Sequence, residues 1–190
     1  MKTIKTIALA LVVALGSLSA TAQNVSKKVD VAKSKATWKG YKVTGSHEGT
    51  VALSEGALIF NGEKLVGGNF TVNMTTINST DMTGEYKDKL DGHLKADDFF
   101  GVEKFPTASF VITKVAGNQV TGNLTVKGIT KSITFPAEIA VKGGKVTAKA
   151  TITIDRTDFN IRYGSKKFFE SIGDKAIFDD FALTVSLVSE

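Results

Sequence analysis

Along Lys145–Ile154, KVTAKATITI, apolar and polar positions alternate without a break. Val146, Ala148, Ala150, Ile152 and Ile154 fall on one face and Thr147, Lys149, Thr151 and Thr153 on the other. Successive side chains of an extended chain point to opposite sides, so the segment reads as a strand with one oily and one wet face. FALTVSLV repeats the pattern with Phe181, Leu183, Val185 and Leu187. ASFVITKV groups Ala108, Phe110 and Ile112, and QVTGNLTV groups Val120, Leu124 and Val126. GNFTVNM puts Phe70, Val72 and Met74 together, a core set that also suits a cavity wall because methionine adapts to irregular neighbours.

Gly and Asn separate these runs, and VAGNQ and VKGGK stand between alternating segments at hairpin spacing. The pattern predicts about eight to ten strands. They fall at 36–43, 47–54, 57–60, 64–77, 107–115, 119–126, 132–141, 145–155 and 176–188, with a further one near 159–163. The two prolines, Pro106 and Pro136, are expected at strand edges. EYKDKLDGHL departs from the rhythm: Tyr86, Leu90 and Leu94 are four apart, one stripe of a short helix ending by Phe99–Gly101. Many antiparallel strands with one helical excursion predict an all-β fold, an antiparallel barrel of about eight strands.

A membrane barrel would turn its oily faces outward. Lys127 and Lys149 sit among threonines on the polar faces, and a lysine in the middle of a lipid-facing strand costs about 2–4 kcal/mol. The oily faces are therefore expected inside. An eight-stranded barrel is either filled by its own side chains or holds one small ligand. Ala108, Gly122, Gly128, Ala148 and Ala150 are small members of the inner faces, which leaves room for a ligand or reflects tapered packing.

The N-terminus changes the picture of location. Lys2 and Lys5 precede an apolar run of 12 residues, Ile7–Leu18, and ATA follows at Ala20–Ala22. That is the pattern of a secretory signal peptide over residues 1–22 and is shorter than the about 20 apolar residues a span needs. It predicts a periplasmic or secreted bacterial protein, with a polar lead at 23–35 and one barrel domain at 36–190. No cysteine is present, so neither disulfides nor an N-terminal lipid anchor contribute, and stability rests on the core. Without the leader's two lysines the balance is 22 basic against 19 acidic groups, or +3, with charges interspersed. Nucleic-acid binding wants a concentrated basic face instead.

HLKADDFFGVEKFPTASF (His93–Phe110), VTGNLTVKGITKSITFPAEI and TITIDRTDFNIRYG follow one another in this chain. The order H-L-x-x-x-D-F-F, F-P-T-A-S-F, G-x-L-T-x-K-G-I-T-K and D-R-x-D-F resembles the YceI-like family of bacterial secreted proteins, from about Ala36 to the C-terminus. The resemblance implies a lipocalin-like antiparallel barrel, partly closed by a helical segment. It implies a long apolar pocket for a polyisoprenoid, an isoprenoid quinone or a related long-chain lipid. It implies no catalytic activity and no cofactor, and it is compatible with a homodimer. The family often has glycine after D-F, where this chain has Asn160; asparagine tolerates a left-handed backbone, so the turn can persist.

The candidate ligand-contacting residues are Trp38, Phe70, Met74, Leu90, His93, Phe99, Phe100, Phe110, Ile112, Ile152, Ile154, Arg156, Phe159, Phe181 and Leu183. Trp38 and Tyr41 lie on opposite faces of one strand, and Trp38 is expected inside. Phe99, Phe100, Phe105 and Phe110 would ring one end of the barrel as pocket wall, as plug, or as both, while Asp97, Asp98, Glu103 and Lys104 keep that turn solvated. Arg156 continues the inward phase and needs a partner, for which Asp158 is the expected one; recognition of a ligand's polar head is the other reading. His93 falls near the helical stripe, as a packed or capping histidine or as a contact to a head-group oxygen. His47 falls in a turn and is expected to be exposed. Two histidines without converging carboxylates make no zinc site.

Three function classes follow. A non-enzymatic lipid-holding protein uses the inner faces. An enzyme finds little support: no thiol nucleophile exists, G-x-S-x-G, H-E-x-x-H, the P-loop and G-x-G-x-x-G are absent, and Asp97–Asp98 and Asp179–Asp180 are sequence neighbours whose side chains splay. A stress-related or protein-interaction module would use the barrel exterior, for which no apolar outer stripe appears.

Overall fold

The computed structural model describes residues 23–190; the predicted signal peptide lies outside the described residues. Among the described residues nine strands and one α-helix occur, in the order β1 (Asn24–Lys28), β2 (Lys35–Lys42), β3 (Gly45–Asn61), β4 (Lys64–Ser79), α1 (Gly84–Lys95), β5 (Thr107–Ala116), β6 (Gln119–Val126), β7 (Ile129–Lys142), β8 (Lys145–Asp155) and β9 (Ile177–Val188). Pairing is antiparallel throughout. The sheet runs β3-β2-β9-β8-β7-β6-β5-β4, and β4 pairs back to β3, which closes an eight-stranded barrel. Closure gives each of the eight barrel strands a neighbour on both sides.

The predicted polar lead supplies β1, whose residues pair with Ala57–Asn61 of β3. Its side chains are mostly exposed, so no apolar alternation announces it. β2 takes the same edge of β3 further along, pairing Ala36–Lys42 with Gly45–Val51. β1 and β2 thus act as one interrupted strand. Between them, the Val29 bridge to Ser189 and the Asp30 N–H to Val188 O bond (2.8 Å) fix the chain's last residues.

The predicted strands at 47–54 and 57–60 are one strand. β3 passes through Ser54-Glu55-Gly56 with register shifts at Thr50/Ala52 and Leu53/Glu55, so bulges carry it across the polar interruption. Residues 159–163 form no strand: Arg156–Phe159 is a 3-10 turn, capped by the Asp155 carboxylate accepting from the Thr157 N–H. Asn160 ends that turn at φ 59°, ψ 29°, the left-handed conformation expected at this position. Pro106 precedes β5, but Pro136 lies inside β7. Its pairing to Gln119 is the last with β6, and Ala137 opens the pairing with β8, so the missing N–H falls where β7 changes partner. Lys127 is not in mid-strand either; it stands in the β6–β7 turn at φ 51°.

The loops at 61–64, 116–119 and 142–145 share one end of the barrel, where Leu58, Phe60 and Val146 form a buried apolar cluster. The long β4–β5 and β8–β9 connections cover the other end. α1 belongs to the first of them. Leu94 is buried and Leu90 partly so, but Tyr86 is 73% exposed: the helix enters from solvent and only its last turns dock. Asp91 tethers it, accepting from the Ser79 N–H (2.6 Å), the Ser79 hydroxyl (2.8 Å) and Lys87 Nζ (2.6 Å).

Burial alone raises the Asp91 pKa, but the hydrogen bonds from Lys87 and Ser79 outweigh it and hold the carboxyl below its usual range. A depressed folded-state pKa contributes stability that is present above the unfolded value of about 3.9 and lost as pH falls through the folded value. Asp91→Ala is expected to cost about 1.5–3 kcal/mol at pH 7. In urea titrations the gap to the unaltered protein narrows below about pH 4. A gap that persists undiminished at pH 3 would show that the ionised carboxylate is not the tether.

Candidate functional site

The inward faces enclose a cavity of about 220 Å³ whose walls are almost wholly apolar. Its lining includes Ala148, Ala150, Ile152 and Ile154 of β8, roughly 20 Å along one strand. Trp38, Phe70, Met74, Phe99, Phe100, Phe110, Ile112, Ile152, Ile154, Arg156, Phe181 and Leu183 all line it. Period-2 phase put the strand residues among them there, since each strand contributes alternate residues, whereas Phe99 and Phe100 come from the β4–β5 connection and Arg156 from the turn after β8.

Three candidates stand elsewhere. Leu90 packs against the core from the helix. Phe159 is 2% exposed but belongs to the packed end rather than the lumen wall. His93 is wedged between Phe99 (ring centroids 5.3 Å) and Tyr163 (4.3 Å), outside the lumen. Its Nε2 is buried without a hydrogen-bond partner, and so is Trp38 Nε1. Leu90 and His93 ride on the helix, beside the lumen rather than in its wall, and Phe159 lies in the 3-10 turn that ends the strand phase.

Phe99 and Phe100 settle the choice between wall and plug. Both are buried, both line the lumen, and they stack edge-on at 5.2 Å. Phe100 meets Phe181 of β9 at 6.5 Å. They form the lumen's floor and its seal at the helix end. The turn that carries them is pinned by Lys127, whose Nζ donates to Asp97 O (2.6 Å) and Phe99 O (2.8 Å). Burial lowers the Lys127 pKa, against the pull of Asp97 and Asp98. Phe105 is not in the lumen; its ring lies against Gly101 and Gly128 and covers the turn from outside.

Two small residues serve packing rather than volume. A Cβ on Gly122 would come within 2.4 Å of the Phe110 ring, so that glycine makes room for a neighbouring aromatic. Gly128 sits in the β6–β7 turn at φ 74°, where other residues are strained. Gly40 is different: it lines the lumen, and a Cβ there would meet no heavy atom within 4 Å.

Arg156 is 2% exposed. Its Nε donates to Phe178 O (3.1 Å), Nη1 to Ile161 O (2.8 Å), and Nη2 to Ile177 O (3.0 Å) and Asp179 Oδ1 (3.4 Å). The guanidinium carbon lies 5.8 Å from the centre of the Phe99 ring. Asp158, the expected partner, is exposed, because the 3-10 turn ends the strand phase at Arg156. The true partner, Asp179, is 23 positions away and carries no sequence signal. Burial lowers the Arg156 pKa, while Asp179 and Asp155 oppose that shift. His47 is not a free surface group; its Nδ1 lies 2.8 Å from Asp81 Oδ2. Among the described residues no group of three metal-ligating side chains converges, and no helix is long and apolar enough to cross a membrane.

A closed eight-stranded antiparallel barrel around an apolar lumen, with a helical excursion over one end, defines a class of small-ligand barrels. Within that class the chain belongs to the YceI-like domain family, which matches residues 28–189. A UPF0312 protein of Shewanella denitrificans is 39% identical over 94 residues, 47% of this chain and 47% of that protein, so the match spans about half the length of this curated relative. Among solved structures, BcnA of Burkholderia cenocepacia is 25% identical with a TM-score of 0.69, over 85% of this chain and 99% of that one. A polyisoprenoid binding domain from Saccharophagus degradans shares the fold at 13% identity, with a TM-score of 0.66 over 86% of this chain and 97% of that one.

Proposed function

We propose that this chain is an exported, non-catalytic protein that holds the tail of one long-chain lipid, a polyisoprenoid or isoprenoid quinone by class, in the barrel lumen. The observation that carries the reading is the apolar cavity of about 220 Å³ running inside the barrel. A fold that leaves such a volume unfilled by its own side chains forgoes about 5 kcal/mol on the scale of engineered cavities, comparable to the whole stability of a small domain. Apolar occupancy offsets that loss. A lumen of that volume lined along roughly 20 Å of one strand suits a chain better than a bulky ring system, and the apolar wall supplies affinity with little discrimination among chains. The shared fold of a polyisoprenoid binding domain supports the same ligand class. The leader-like residues 1–22 support export.

Trp38 is the chain's single tryptophan and lies in the lumen wall, so its fluorescence reports occupancy. Titration of delipidated protein with a series of prenyl or alkyl chains is expected to shift its emission. Affinity should rise about four-fold per added CH₂, from about 0.8 kcal/mol each, until the lumen is full. Emission that stays constant, or affinity indifferent to chain length, would defeat the proposal.

A further inference from the structure

Both ends of the lumen are stopped by buried side chains, Phe99 and Phe100 at the helix end and Leu58, Phe60 and Val146 at the other. A lipid held inside therefore needs a way through the wall, and its polar head needs a place outside an almost wholly apolar lining. The wall is latched unevenly. The ladder between β7 and β8 runs from Lys142 and Lys145 to Ala137 and Ala150 and stops there. Beyond it, residues 132–136 pair only with β6 and residues 151–155 only with β9, over roughly 16 Å of wall. Pro136 starts the break. The Ala137 N–H donates to Asn118 O on the β6 side, so alternation turns the backbone groups of Thr134 and Pro136 toward β8. Val146 bonds to Ser189 beyond β9, so those of Thr151 and Thr153 face β7. Pro136 has no N–H to offer the Thr151 carbonyl, and no ladder joins Thr134 to Thr153.

The outward hydroxyls divide the same way. Thr134 bonds Thr121 (2.9 Å) and Thr130 bonds Thr125 (2.8 Å) on the β6 side, while Thr151 bonds Thr184 (3.2 Å) on the β9 side. Among the described residues no side-chain hydrogen bond or ion pair joins residues 129–136 to residues 151–155. Behind this seam stand Ile133 and Phe135 of β7 and Ile152 and Ile154 of β8, all in the lumen wall. Apolar contacts of that kind part without breaking a hydrogen bond. β4 and β5 also lose their ladder beyond Gly68 and Ile112, but there Leu65 packs on the buried Leu58, Phe60 and Val146 cluster. We propose that the lipid crosses the barrel wall between β7 and β8, its tail passing into the lumen and its oxygen-bearing head resting in the seam on the backbone groups of Thr134, Thr151 and Thr153. The proposal rests on the lumen reading and adds to it the path and the seat of the head.

The test is the rate at which delipidated protein takes up farnesol, a prenyl alcohol, followed by Trp38 emission. The register of Ala137 with Ala150, continued, sets Thr134 opposite Thr153, and both are exposed. The chain has no cysteine, so Thr134→Cys with Thr153→Cys introduces one thiol on each side of the seam. Oxidation to the disulfide is expected to abolish uptake and reduction to restore it. Thr151→Cys with Thr184→Cys cross-links strands that are already laddered, and its oxidation should leave the rate unchanged. Pro136→Val needs no cross-link: it supplies the missing N–H and should slow uptake about 5-fold, the effect of one added hydrogen bond. Bound farnesol should slow hydrogen exchange at the Thr134 and Thr153 amides, and the hydrocarbon farnesene should not. Equal uptake by the oxidised and reduced Thr134–Thr153 pair overturns the path, as does an unchanged rate in Pro136→Val where the cysteines fail to oxidise. Equal protection by farnesol and farnesene overturns the seat of the head. An unaltered protein whose Trp38 emission ignores farnesol defeats the lumen reading itself, and the seam proposal with it.

Discussion

Gly40→Leu is expected to abolish most lipid binding while leaving the protein at least as stable. Gly40 follows Trp38 in the inward phase, lines the lumen, and has open space where a Cβ would go. A leucine there occupies the path of the ligand instead of the wall. Displacing about four ligand carbons removes about 3 kcal/mol, on the order of 100-fold in affinity. The strand itself gains, because glycine is a poor strand residue and the span of strand preferences is about 1 kcal/mol. Thermal unfolding should therefore move up by about 2–4 °C for a domain of this size. Most binding-site substitutions lower stability or leave it alone, so the paired gain and loss is diagnostic. Unchanged affinity with an intact fold would mean the ligand does not run past β2. Ala148→Leu, in the lumen wall on β8, two strands from β2, keeps the test informative should the Gly40 variant fail to fold.

Arg156→Met is expected to destabilise the protein by about 3–5 kcal/mol, read by urea unfolding. The guanidinium donates to the carbonyls of Ile161, Ile177 and Phe178 and to Asp179. Methionine fills similar volume but leaves those acceptors unpaired in a site only 2% exposed. Arg156→Lys should recover only part of the loss, since one ammonium cannot reproduce the planar fork. A destabilisation below about 1 kcal/mol would show that the carbonyls find other donors. The same variants separate the two readings of this residue. If Arg156 anchors the 156–176 connection, lipid affinity under conditions where each variant is folded stays near that of the unaltered protein. If it meets the ligand's polar head, affinity falls even in the folded Arg156→Lys protein.

How far the fold was legible follows from which forces decide each element. Where alternation is strict, as in Val146–Ile154, burial and side-chain phase coincide, and the sequence identifies both the strand and its lumen-facing residues. β1 escaped notice because its side chains stay mostly exposed; backbone pairing to β3 holds it, and pairing leaves little mark in residue type. The continuity of β3 through Ser54-Glu55-Gly56 depends on bulges, which a two-residue period cannot express. Arg156 was visible as an inward cation, but its partners Ile177, Phe178 and Asp179 are brought beside it only by the pairing of β8 with β9. Extending strand phase past Asp155 misassigned Asp158 as the Arg156 partner, because the Asp155 carboxylate starts a 3-10 turn there. Helical spacing likewise identified Leu94 correctly and Tyr86 wrongly: the stripe is regular, but the sheet lies under only its far end.

The central claim is that the barrel interior is a lipid site and not a packed core. Native mass spectrometry of the chain, purified gently from cells in parallel with its Gly40→Leu variant, tests it most directly. The account predicts one apolar adduct per polypeptide, extractable into organic solvent and identified there as a long-chain lipid, and its loss in the variant. A mass equal to the bare polypeptide for both proteins, with Trp38 emission unmoved by added chains, would contradict it.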